Sequence, residues 1–122
     1  MKAVLKDIFF VYETFNFESY SPDDDENFSI DLLLQIGAED SGKSADNFDL
    51  CVCTPGWINK NSWVPKLMRH TLIIRRYDKE IIKKVINDYI DKCEGNDWME
   101  LASKLSRVFF WEYEDCNTID GK

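Results

Sequence analysis

The chain predicts an α+β domain: an antiparallel β-sheet of four to five strands, packed on one face by two helices from the C-terminal half. Two observations carry this. Segments with strand character cluster before residue 77, and the two segments with clear helical periodicity follow it. Two of the strand segments also alternate apolar with polar residues, as strands with one buried and one solvated face do. At 122 residues, 44 % of them apolar, the chain is sized for one domain over residues 1–122, with a core that needs no metal or disulfide staple.

Residues 3–12 are β-branched and aromatic and read as the first strand. Residues 13–27 are polar and irregular, and Ser21 and Pro22 lead into Asp23, Asp24, Asp25 and Glu26, the densest charge in the chain. In residues 28–36, Phe28, Ile30, Leu32, Leu34 and Ile36 oppose Ser29, Asp31, Leu33 and Gln35. Residues 37–46 read as a long turn. In residues 47–54, Phe48, Leu50 and Val52 oppose Asp49, Cys51 and Cys53, so these two strands read as an antiparallel hairpin with an extended tip. Thr54, Pro55 and Gly56 stop the strand. Pro65 rules out a long regular helix over residues 57–68, which predicts a short helix or a structured crossover. Residues 71–76 read as a short strand.

The first helix is marked by Ile81, Ile82, Val85, Ile86, Tyr89, Ile90 and Cys93 at helical spacing. Asp78 is its N-cap, Tyr77 and Ile82 are spaced as a hydrophobic staple, and Gly95 reads as a left-handed C-terminal cap. Asp97 and Glu100 have the spacing of a capping box for a second helix, whose stripe is Trp98, Leu101, Ala102, Leu105 and Val108. Residues 109–114 return to period two and read as a last strand.

Charge is the second signal. Residues 1–61 carry 12 acidic and 4 basic side chains, whereas residues 62–122 carry 11 of each, so the whole net charge of −8 belongs to the first half. A one-sided negative field repels nucleic acid and anionic lipid and steers basic partners inward. The lysines at 79, 83 and 84 alternate with acids on a helix face, where solvation and ion pairing within the helix explain them. No window approaches the ~20 apolar residues of a membrane span. The start of the chain, with Asp7 interrupting its apolar run, lacks the pattern of a signal peptide, which predicts the cytoplasm.

Residue types that carry catalysis are sparse. His70 is the single imidazole and sits at the start of a predicted strand, where a structural role is the ordinary one. There is no nucleophile elbow, phosphate-cradling glycine loop or zinc-protease helix. Cys51, Cys53, Cys93 and Cys116 lack paired zinc-knuckle spacing and read as reduced, mostly buried thiols, with Cys51 and Cys53 on one face of their strand. The acids at 23–26 lack the spacing of a calcium loop. Neither a metal nor another cofactor is expected. Trp57, Trp63, Trp98 and Trp111 read first as core residues, because aromatic side chains dominate cores.

Four stretches, in order, resemble the immunity protein 8 family of bacterial polymorphic toxin systems. The first is Phe48-x-x-x-Val52-x-Thr54-Pro55-x-Trp57. The others are Arg75 to Asp78 before the long helix, Cys93 to Trp98 between the helices, and Leu105 and Ser106 followed by Trp111 to Asp115. The resemblance implies an α+β immunity protein, made beside a toxin gene, that binds the C-terminal domain of its cognate toxin. It brings no catalytic motif, and its shared Trp, Pro and Gly positions look like determinants of the fold.

Charge and resemblance agree on a basic partner. An acidic inhibitor is steered onto a toxin whose substrate is a polyanion, such as a nuclease, and can mimic that substrate's charge. The acids expected at the contact are Asp23, Asp24, Asp25 and Glu26, the tip residues Glu39 and Asp40, and Glu112, Glu114 and Asp115. Two other readings stay open. One is a binding or scaffold module for another basic protein, acting as a homodimer through an exposed sheet edge. The other is a small hydrolase using a carboxylate pair, which a polar pocket with a carboxyl of raised pKa would favour.

Overall fold

In the computed structural model, which describes residues 1–12 and 14–114, one five-stranded sheet carries three helices. The elements run β1 (Ala3–Phe10), β2 (Ser29–Ala38), β3 (Asp46–Cys53), α1 (Pro55–Asn61), β4 (Thr71–Ile73), α2 (Lys79–Lys92), α3 (Trp98–Leu105) and β5 (Phe110–Trp111). The α+β architecture is the expected one. β1, β2 and β3 form an antiparallel meander, with Leu32 opposite Leu50 and Leu34 opposite Phe48.

Beyond β3 the sheet departs from the antiparallel expectation. β4 pairs parallel to the end of β3, while β5 pairs antiparallel to its beginning. A parallel neighbour needs a crossover, and α1 with the irregular residues 62–70 supplies it. Thr54 caps α1, its hydroxyl accepting the Trp57 N–H at 3.2 Å, and Pro55 stands in the first turn, where its missing donor costs nothing. The region read as a short helix or a crossover is therefore both, and Pro65 falls in its irregular part.

β1 does not alternate strictly, and a bulge explains why. The register slips between Leu5 and Asp7, so the inward positions run Ala3, Leu5, Ile8 and Phe10. Lys6, at the slip, reaches the tip between β2 and β3, donating to Ser41 Oγ at 2.9 Å and to the Gly42 carbonyl.

The core lies between one sheet face and α2 with α3. Leu32, Leu34, Ile36, Phe48, Leu50 and Val52 come from the sheet; Ile82, Ile86, Ile90, Leu101, Ala102 and Leu105 come from the helices. The α2 stripe is narrower than its periodicity suggests: Ile81 and Val85 are exposed. Asp78 caps α2 by accepting the Glu80 and Ile81 N–H groups, and Asp97 caps α3 by accepting that of Glu100. Gly95 is not a left-handed cap; α2 ends at Cys93 in extended backbone (φ −90°). What requires glycine at 95 is a close approach, since a Cβ there would lie 2.7 Å from the Leu101 backbone nitrogen. Among the described residues, no helix is long and apolar enough to cross a membrane.

Candidate partner-binding face

The sheet face away from α2 and α3 carries the outward set of each strand: Phe9 and Val11, then Asp31, Leu33 and Gln35, then Asp49 and Cys51, then Phe110. Strand alternation puts them there, one residue out of phase with the core. Phe9, Asp31, Asp49 and Phe110 are exposed, so among the described residues no element covers the middle of this face. It opens a hollow of about 220 Å³ lined by Val11, Tyr12, Asp31, Asp49, Cys51 and Phe110, with Arg69 and His70 at its border.

Acids crowd the strand side of the hollow, while Arg69 at its edge is paired with Glu114. Although Asp49 is exposed as a residue, partial desolvation of its carboxyl pushes it above its usual range, and the neighbouring charges of Asp31 and Glu112 push it further. Several acids elsewhere do find cations: Lys83 meets Glu18 and Glu80, Lys84 meets Asp88, and Lys104 meets Glu100. Among the described residues, neither Asp31 nor Asp49 has an ion-pair partner.

At the border, Arg69 donates to Glu114 Oε2 at 3.2 Å, and Glu114 Oε1 lies 3.7 Å from His70 Nε2. His70 is wedged edge-on against Phe110 in left-handed backbone (φ 54°), and its carbonyl accepts the Cys51 N–H. The imidazole is thus built into the junction of β3, β4 and the chain after β5.

The acids expected at the contact fall into three groups that the fold holds apart. Asp23, Asp24, Asp25 and Glu26 are all exposed in a fixed loop, whose Asp25 carbonyl accepts the Tyr77 N–H and whose Glu26 N–H bonds the Asp24 carboxylate. Glu39 and Asp40 are exposed at the opposite end of β2, about 30 Å away for a ten-residue strand. Glu112 and Glu114 border the open face, where Glu112 also accepts the Asn47 N–H at 2.9 Å. Asp115 and Cys116 lie outside the described residues.

Asp31 and Asp49, the acids at the centre of the face, were missing from the expected set because they read as ordinary polar positions of half-buried strands. A signal was present: charged residues at the outward positions of two central strands imply that nothing packs over them.

The tryptophans divide. Trp111 is buried and stacked on Phe48 (interplanar 15°), whereas Trp57 and Trp98 are half-buried. Trp98 and Trp111 both donate their indole N–H to Asp46 Oδ2, at 2.7 and 2.9 Å. Trp63 is no core residue: it is 81 % exposed in the crossover.

Nucleophilic chemistry has no support from the thiols. Burial, then the neighbouring Cys51, pushes the Cys53 thiol up to about 11, and burial also raises Cys93, so both stay protonated at neutral pH. What the face can do is attract a cation and give it aromatic surface, from Tyr12 and Phe110, to lie against.

Comparisons with curated proteins and with solved structures find no match. The family model described as Immunity protein 8 matches residues 3–116, nearly the whole chain, and the protein therefore belongs to the Immunity protein 8 family.

Proposed function

We propose that the chain binds the C-terminal domain of its cognate bacterial toxin and neutralises it by covering the toxin's active or substrate-binding surface. It makes and breaks no bonds itself. The observation that supports this most directly is the open sheet face, with Asp31, Asp49 and Glu112 crowded together and, among the described residues, no basic side chain paired with the first two. Crowded carboxylates cost a fold stability, and a partner that supplies positive charge would relieve that cost. A domain that acts on a polyanion such as nucleic acid presents a cationic surface of this kind. The exposed acids at 23–26, at 39–40 and at 112 extend the field that draws it in.

Co-expression with the toxin domain encoded beside it tests the reading, with growth as the readout. The wild-type chain rescues growth. Asp31→Asn, Asp49→Asn and Glu112→Gln together slow association several-fold at low salt and less at high salt. Unchanged association kinetics would remove the face from the contact.

One observation favours a second reading, a small carboxylate-dependent hydrolase: the hollow places a carboxyl of raised pKa beside another acid and close to an imidazole. Its signature is turnover of a glycoside or phosphoester by the purified chain that Asp49→Asn abolishes.

A further inference from the structure

We propose that the irregular segment 62–70 is the apolar anchor with which the chain grips its toxin, entering a pocket on that domain that is apolar inside and edged by carboxylates. The proposal rests on the toxin reading above and adds the grip to it.

The crossover has no packing reason to be as apolar as it is. No residue from Pro55 to Arg69 is buried, although the stretch includes two tryptophans, Ile58, Val64, Leu67 and Met68. Leu67 is 98 % exposed, and Trp63, Val64 and Met68 stand out beside it. Contiguous large apolar side chains held in water mark a docking surface.

The segment is also fixed at both ends. The Ser62 N–H donates to the Ile58 carbonyl at 2.9 Å, the His70 carbonyl accepts the Cys51 N–H at 3.0 Å, and Arg69 pairs with Glu114. The backbone at both ends is therefore positioned before binding, which lowers part of the ordering cost.

Charge names the occupant. Within 62–70 the basic side chains are Lys66 and Arg69, the latter paired with Glu114, Lys60 lies just before them, and no acid occurs from Leu50 to Tyr77. The anchor thus wants carboxylates at its rim, while the sheet face beside it wants cations. A domain that cleaves nucleic acid with carboxylate-held metal ions inside a cationic groove carries both signs side by side. A second copy of this chain fits less well. Its apolar hollow of about 180 Å³, lined by Leu72, Val85, Tyr89 and Val108, has the Arg107 charge acting on Tyr89, which matches the anchor in sign.

The test uses the full chain and the toxin domain encoded beside its gene, immobilised for kinetic binding measurements. The variant Trp63→Ala with Leu67→Ala should weaken binding about 30-fold or more, mainly through faster dissociation, as loss of a central anchor does. Its unfolding midpoint should stay at the wild-type value, because neither side chain is in the core. Met99→Ala, at an exposed site on α3, serves as the control and should bind as the wild type does. Wild-type affinity in the double variant overturns the proposal. So does a wild-type dimer that the double variant turns into a monomer with toxin affinity unchanged, which would assign the segment to a second copy. A wild-type chain that does not bind the toxin at all refutes the toxin reading itself, and the anchor falls with it.

Discussion

A single carboxylate oxygen ties three parts of this chain together. Asp46 opens β3, and its Oδ2 accepts the indole N–H of Trp98 from the first turn of α3 and that of Trp111 from β5. Removing it leaves two partly buried donors without acceptors, at about 1 kcal/mol or more each. Asp46→Ala should therefore lower stability by about 2 kcal/mol in urea unfolding followed by tryptophan fluorescence, while Asp46→Asn, which keeps an acceptor, should lose less. Equal stability of the alanine variant would mean that solvent replaces the carboxylate without cost. At this scale the sequence was only partly readable. Both tryptophans stood out as fold determinants, but their common acceptor did not, because it precedes them by 52 and 65 positions. Trp63 misled for a related reason: an aromatic side chain in an aperiodic stretch carries no mark of which way it faces.

Elements were legible where a period repeats. α2, with Ile82, Ile86 and Ile90 four apart, and the β2–β3 hairpin, with its alternation, could be placed from the sequence to within a residue or two. The direction of β4 could not, since three residues carry no information about their partner and the parallel pairing is set by the crossover before them. The open face was half legible: alternation gave its residues, but not that the two helices would both choose the other side. The joint that makes the crossover possible is Thr54, fully buried between β3 and α1. Its hydroxyl oxygen accepts the N–H of Phe28 and that of Trp57, both at 3.2 Å, so one side chain ends a strand, starts a helix and locks the entry to β2. Thr54→Val has the same shape but no acceptor. It should cost about 2 kcal/mol, read as a lower urea midpoint with an unchanged slope. Thr54→Ser should keep most of the stability, and a valine variant as stable as the wild type would show that the joint is held by packing alone.

Over the whole molecule, the uneven charge sets stability against binding, and Asp49 is where the two can be measured together. Its carboxyl titrates above the ordinary value of 3.8 because burial, Asp31 and Glu112 all disfavour its charge. A group with a raised native pKa binds its proton more tightly in the folded chain than in the unfolded one, so its contribution to stability falls as pH rises through the native value. At pH 7 the ionised Asp49 thus works against folding. Asp49→Asn should raise the urea midpoint at pH 7, and its advantage should shrink as pH is lowered into the acid range and the wild-type carboxyl takes up its proton. A variant no more stable than the wild type at pH 7 would show that solvent already relieves the crowding. Binding should run in the opposite sense. A cationic surface on this face stabilises the charged form of Asp49, so complex formation releases a proton and tightens as pH rises out of the acid range. Calorimetric titration in two buffers of different ionisation heat would count that proton. A count that is the same for Asp49→Asn would place the toxin's contact away from the sheet.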